Sequence, residues 1–435
     1  MSLNEKIIQG ISEEYQIKFP AKKFIPGQSA VPISGKVFDE KELIFMTEAV
    51  MEGWWTEGKY SEQLELKIAS YIGIKHCTLV NSGSSANLLA LTALTSVKLP
   101  VEKRLKPGDE VITVAAGFPT TVNPIIQNNL IPVFVDVELG SYNPNLELIK
   151  KAVSEKTRAV IIAHTLGNPY KVDEIAEFCR EKGFWLIEDN CDALGSEYKN
   201  KKTGSFGHIS TLSFYPAHHI TTAEGGAVLT DDTLLNKIVR SLRDWGRDCW
   251  CPTGKDDTCK NRFNWQLGDL PFGYDHKYIY SELGYNLKMT DIQAALGLAQ
   301  VEKLDSFVNK RKENFKLLNE QLKKFENHLI LPECLPEADP SWFGFLISIK
   351  ENSGINRTEL LKYLNDKKIG TRLLFAGNII KQPYFVENKY SYKVAGDLKN
   401  TDYIMNNSFW IGLGPLVNRE MIEYVGQVFG EFINK

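Results

Sequence analysis

Short apolar runs recur along the first half of this 435-residue chain at 77–80 (CTLV), 110–114 (EVITV), 131–135 (IPVFV), 159–163 (AVIIA) and 184–187 (FWLI), with helical patterns such as Val172–Lys182 between them. Runs that are apolar throughout suit strands covered on both faces. Strands alternating with helices over this length give an α/β fold with a mainly parallel sheet and helices on both faces. In such a sheet, ligands gather at the carboxyl ends of the strands.

Three of the segments that leave strand ends carry chemistry. After 77–80 comes NSGSS and then a helical run at 86–95. A strand, a small-residue turn and a helix N-terminus bring free N–H groups and the positive end of a helix dipole together, so Gly83 and Ser84 are candidates to hold a phosphate. The strand at 186–189 (LIED) ends in carboxylates, with Asp189 last. The stretch 210–228 (STLSFYPAHHITTAEGGAV) is a short strand, a tight polar turn, and an acid with two glycines before the next apolar run.

Ser213, Phe214, Glu224, Gly225 and Gly226 match the pattern SF-x-x-x-K-x-x-x-x-G-E-G-G, and here the chain resembles the sugar-nucleotide aminotransferases of the aspartate-aminotransferase fold. NSGSS likewise resembles their N-S-G-T-x-A segment. The resemblance implies the fold type I of pyridoxal-phosphate enzymes, with a seven-stranded type of sheet in a large domain and a smaller α+β C-terminal domain. The expected divisions are an arm at 1–37, a cofactor domain at 38–300 with a Cys-rich insertion at about 243–280, and a linking helix and small domain at 301–435. It also implies that Ser213 binds the cofactor, that Phe118 stacks on its pyridine ring and that Asp189 pairs with the ring nitrogen. Asn286, in a G-Y-N-x-x-x-T match, would reach the cofactor of a neighbouring subunit in a homodimer.

The departures are as informative as the matches. The pattern's lysine position holds His218, and an imidazole can shuttle a proton but cannot form a Schiff base. Asp192 stands where glutamine is usual, and Tyr215 and Phe343 stand where histidines are customary, which makes His218, Asp192 and Tyr215 the catalytic candidates and Phe343 a pocket residue.

Seven cysteines in a chain without a signal-like apolar leader are better read as metal ligands or buried thiols than as disulfides. Cys191, Cys249, Cys251 and Cys259 offer four thiolates, enough for an iron–sulfur cluster or a zinc ion, and the one-residue gap between Cys249 and Cys251 suits zinc poorly. Cys77, Cys179 and Cys334 are left as packing residues. Histidine at the lysine position together with this cysteine spacing resembles the CDP-4-keto-6-deoxy-D-glucose 3-dehydrase branch of the family. That branch implies non-covalent pyridoxamine 5'-phosphate, a two-iron two-sulfur (2Fe-2S) cluster, a CDP-sugar substrate, a separate NAD(P)H-dependent flavin or iron–sulfur reductase, and a place in 3,6-dideoxyhexose and lipopolysaccharide O-antigen synthesis. A sugar-nucleotide aminotransferase that has lost its lysine, and an inert zinc-binding scaffold, stay open as alternatives.

A net charge of -3, spread without long blocks, argues against a nucleic-acid or membrane partner, and the expected location is the cytoplasm. Local signals predict an irregular arm at 24–37 before the first helix, a helix capped by Asp39, another capped by Ser61 at 61–71, and one long helix at 301–325. Residues 383–385 and 406–408 are expected on the substrate side.

Overall fold

The computed structural model describes residues 4–249, 251 and 253–434, so Trp250 and Pro252 of the thiol-rich segment lie outside the described residues. Its main sheet has eight strands, in the order His76–Val80, Gly226–Thr230, Ile209–Ser213, Trp185–Asp189, Thr157–Ala163, Glu110–Val114, Ile131–Val135 and Lys393–Val394. Gly226–Thr230 runs antiparallel to both its neighbours, and the other pairings are parallel. The seven longer strands correspond to the expected sheet. The eighth, two residues long, comes from the far end of the chain, across the division expected at residue 300.

The five apolar runs become strands buried at nearly every position because helices cover both faces. A second, four-stranded antiparallel sheet (Leu329–Ile330, Gly344–Ile349, Ser408–Gly412, Thr371–Arg372) shares a core with the helices Leu304–Leu322 and Arg419–Ile433. Among the described residues, no helix is long and apolar enough to cross a membrane.

Several local expectations are corrected. A helix, Glu5–Lys18, precedes the segment read as an arm before the first helix. That segment is anchored, since Phe24 and Val31 are buried in the core of the second sheet and Val31 bridges Ile369. The helix expected at 301–325 is found as Leu304–Leu322, followed by a 3-10 turn at Lys323–Phe325; Asp291–Val301 is a separate helix, and between the two Lys303 turns its amine to Asp39 and Glu42. Cys334 is exposed, while Cys77 and Cys179 are buried.

Asp39 caps Glu40–Met51 as expected, in a capping box with Glu42. Ser61 does not cap its helix, which starts two residues earlier, at Lys59. The free N–H groups there are met by Asp291, 230 residues away in sequence, whose buried carboxylate accepts from Gly58 N, Tyr60 N, Ser61 N and Ser61 Oγ at 2.7–3.2 Å. Replacing Asp291 by alanine strands four donors, three of them on the backbone, and should cost about 3 kcal/mol. A denaturant titration measures this, and the loss should greatly exceed that of Ser61→Ala, which removes one of the four.

Candidate active site

The carboxyl ends of the parallel strands open on a cavity of about 770 Å³, a volume suited to a cofactor together with a small ligand. Ser82, Gly83 and Ser84 enter it at the N-terminus of the helix Gly83–Ala93, where Ser82 Oγ accepts from Ser85 N at 3.1 Å. A Cβ on Gly83 would stand 2.5 Å from Ser213 Cβ, and one on Gly226 would stand 2.7 Å from Gly83 N. The glycines therefore let two strand ends and the helix start crowd together, leaving backbone N–H groups as the surface a phosphate meets. Gly83→Ala should weaken pyridoxal phosphate binding at least tenfold while the far-ultraviolet circular dichroism stays unchanged, and an absorbance titration measures it.

Asp189 ends its strand inside the cavity wall. Its Oδ2 accepts from Thr121 Oγ1 at 2.7 Å and Asn87 Nδ2 at 2.8 Å, and its Oδ1 faces Cys191 N at 3.2 Å. Asn87 is held in turn by Thr211 Oγ1, which donates to its Oδ1 at 2.6 Å. Sequence reasoning missed Asn87 and Thr121. Asn87 lies four residues beyond Gly83, one helical turn below the phosphate loop on the same face, and that spacing was the available signal. Phe118 lines the cavity with its ring edge-on to Phe375, the centroids 5.6 Å apart.

The loop 214–225 joins two antiparallel strands and carries Tyr215, His218 and Glu224 into the cavity. The two adjacent histidines divide. His219 is buried, with Nε2 2.6 Å from the Ser341 carbonyl, and burial, helped by Arg311, holds its pKa well below the ordinary histidine range. His218 faces the cavity, its ring 5.1 Å from Phe343, and its Nδ1 is 3.4 Å from Asp192 Oδ1. That distance allows charge pairing, although the Nδ1 makes no aligned hydrogen bond.

Beneath this pair lies Arg311, a further residue that sequence reasoning missed. It is fully buried, its Nη1 reaches the carbonyls of Trp342 and Phe343 at 3.2 Å, and its Nη2 is 3.4 Å from the His218 carbonyl. Burial lowers its pKa to about 10, opposed by the Asp192 carboxylate. The signal was a charged residue in register with Leu304, Phe307 and Val308 on the core-facing stripe of its helix.

Of the expected site residues, Gly83, Ser84, Phe118, Asp189, Cys191, Asp192, Ser213, Tyr215, His218 and Phe343 line this one cavity. Asn286 does not; it bridges Asp244, next to the Leu287 carbonyl that accepts from Asn81 N at 2.8 Å. Cys249, Cys251 and Cys259 are also elsewhere. Cys249 borders Lys98, beyond the C-terminal end of the helix Gly83–Ala93, about 16 Å long, whereas Cys191 lies in the cavity that its N-terminal end enters.

The expected set of four thiols is therefore not assembled within the chain. Removal from water, with Asp189 adding to it, holds the Cys191 thiol well above the ordinary range. The other three cysteines surround a residue that sequence reasoning passed over, His276, whose ring nitrogens lie 3.3–4.0 Å from their sulfurs.

A helix start with free backbone N–H groups, a hydrogen-bonded carboxylate and an aromatic ring meet at the strand ends of a mainly parallel sheet, and the fold is that of the pyridoxal-phosphate-dependent aminotransferases. The chain belongs to the DegT/DnrJ/EryC1/StrS aminotransferase family, whose sequence profile matches residues 37–429. It is 56% identical over 431 residues to the lipopolysaccharide biosynthesis protein RfbH of Salmonella typhimurium, covering 99% of this chain and 98% of that one. It is 50% identical to the dTDP-4-dehydro-2,6-dideoxy-D-glucose 3-dehydratase of Saccharopolyspora spinosa, over 97% of this chain and 90% of that one. The E. coli GDP-4-keto-6-deoxy-D-mannose-3-dehydratase, solved with bound hydrated PLP, superposes with a TM-score of 0.82 at 30% identity, over 92% of this chain and 98% of that one.

Proposed function

We propose that this chain is a pyridoxamine-phosphate-dependent 3-dehydrase of a nucleotide-linked 4-keto-6-deoxyhexose, CDP-4-keto-6-deoxy-D-glucose, in 3,6-dideoxyhexose and lipopolysaccharide O-antigen synthesis in the cytoplasm. One observation carries the reading: His218 occupies the position of the cofactor lysine, and no lysine lines the cavity among the described residues. A covalent cofactor link therefore has no amine to form on. The 3-dehydratase names of two relatives, and the bound hydrated PLP of one, support the same chemistry.

When bound, the cofactor supplies an amine that condenses with the sugar ketone and a protonated ring that draws electrons away from it. Gly83, Ser84 and Ser213 would hold its phosphate and Phe118 would flank its ring. Asp189, fixed by Asn87 and Thr121, would keep the ring nitrogen protonated. With Nδ1 turned toward Asp192, the Nε2 of His218 would be left to hold or move a proton in the cavity, the base such an elimination of water from the sugar would need. Asp192 stabilises the imidazolium so formed, and Arg311 holds the His218 backbone in place. Tyr215, at the mouth of the cavity, is assigned to the same proton traffic.

Completing the deoxygenation takes two electrons, which we assign to a separate NAD(P)H-dependent flavin or iron–sulfur reductase. The thiol-rich loop is the place for a 2Fe-2S centre. A homodimer would bring Asn286 of one subunit to the cofactor phosphate of the other.

Borohydride treatment of wild-type protein loaded with pyridoxal phosphate tests the non-covalent site. Mass spectrometry should find the chain unmodified and the cofactor released on denaturation. A lysine carrying the reduced cofactor would instead favour the aminotransferase reading.

A further inference from the structure

We propose that Phe375 is a positioning residue for the cofactor: its ring holds Phe118 in place, and so steadies a cofactor that no covalent bond anchors. The proposal rests on the reading above that Phe118 flanks the cofactor ring and that His218 leaves the cofactor untethered.

Phe375 sits in a backbone conformation that a phenylalanine avoids. Its φ is 42°, in the left-handed region where a Cβ crowds the neighbouring carbonyl and glycine is the ordinary occupant. Gly377, two residues on, has φ 67°. The chain folds back sharply here, with Phe375 N donating to the Leu373 carbonyl and Gly377 N to the Leu374 carbonyl, both at 2.8 Å. A bulky side chain kept at such a point marks a place where the side chain itself is needed.

The ring of Phe375 lines the cavity and meets its aromatic wall. Phe375 and Phe118 lie edge to face, with 88° between the planes and 5.6 Å between the centroids, a favoured geometry for two aromatic rings. Phe118 is 49% exposed, and among the described residues Phe375 is the one aromatic ring packed against it. That contact limits the swing of a side chain otherwise open to solvent.

The segment is fastened on both sides. Ala376 N donates to the Gly117 carbonyl at 3.2 Å and Ile379 N to the Ala115 carbonyl at 3.0 Å, so residues 376–379 run beside the stretch that leads into Phe118. Trp410, on the second sheet, donates from Nε1 to the Leu373 carbonyl at 3.1 Å, and Gln382 Nε2 donates to the Ala376 carbonyl at 2.8 Å. With its neighbours pinned, the left-handed residue between them has its ring set before any cofactor arrives. A cofactor held only by a phosphate cradle, one carboxylate and one aromatic face depends on such a preset wall, since no covalent link restricts its ring.

Fluorescence titrations of pyridoxamine phosphate against wild type, Phe375→Leu, Phe375→Tyr, Phe118→Ala and the double variant Phe118→Ala/Phe375→Leu test the role. Phe375→Leu keeps an apolar side chain without an aromatic edge and should raise the dissociation constant about three- to tenfold. Phe375→Tyr, which keeps the ring and guards against misfolding, should bind within about twofold of wild type. Added to Phe118→Ala, Phe375→Leu should change nothing further, because the two side chains act through one contact. The induced circular dichroism of the bound cofactor should weaken in Phe375→Leu while the far-ultraviolet spectrum stays unchanged. An equal loss of affinity from Phe375→Leu in both backgrounds, or no loss while Phe118→Ala binds weakly, overturns the role given to Phe375 and leaves the cofactor site standing. Phe118→Ala that binds as tightly as wild type overturns the proposal together with the place of Phe118 in the site. Wild-type protein that binds no pyridoxamine phosphate would remove the cofactor reading as well.

Discussion

Asp189→Asn should lower turnover by two to three orders of magnitude with little loss of cofactor binding. The amide has the shape of the carboxylate and can still offer an oxygen to Thr121 Oγ1 and Asn87 Nδ2, so the wall of the cavity is kept. What disappears is the negative charge that, in the proposed mechanism, would hold the cofactor's ring nitrogen protonated. A preorganised charge aimed at a developing charge in a water-poor site is worth about 10²–10³ in rate. Steady-state kinetics beside a cofactor titration measure it: kcat falls while the dissociation constant for pyridoxamine phosphate changes less than about fivefold. Asn87→Ala, which only frees the carboxylate to swing, should cost less.

Replacing His218 separates its loss from what another side chain can add. His218→Asn keeps a polar group against Phe343 but cannot take up a proton, so dehydration should fall by about 10²–10⁴, the usual span for one acid–base group. His218→Lys should fall at least as far, because an ammonium is a poor base near neutrality. It should also gain something wild type lacks, a covalent bond to pyridoxal phosphate that borohydride makes permanent at position 218. Dehydration that survives in His218→Asn would mean the proton moves by another route, with Tyr215 next in line.

The fold was legible because its strands are buried on both faces and read as unbroken apolar runs, and because the helix Val172–Lys182 carries its whole pattern within its own length. The cavity was legible for a related reason. Strand ends and the turns after them are short in sequence, so Gly83, Asp189 and Ser213 could be found one motif at a time.

What failed depends on partners far apart in the chain. The start of the helix Lys59–Ile72 is capped by Asp291, and no local window contains both. Within one chain the helix Gly83–Ala93 separates Cys191 from the other three thiols. His276 itself, a lone histidine among aromatic and charged residues, carried no signal until folding placed three sulfurs around it. Arg311 left a signal that went unread, a charge on an apolar stripe, and only the structure shows that it reaches the backbone of His218.

The account stands or falls on whether the carbon–oxygen bond at C3 is broken. Wild-type protein loaded with pyridoxamine phosphate, given CDP-4-keto-6-deoxy-D-glucose labelled with 18O at C3, should release the label into water, and with a reductase and NADH present should yield a 3-deoxy sugar without an amino group. A 4-amino sugar that keeps its 18O at C3 would contradict it.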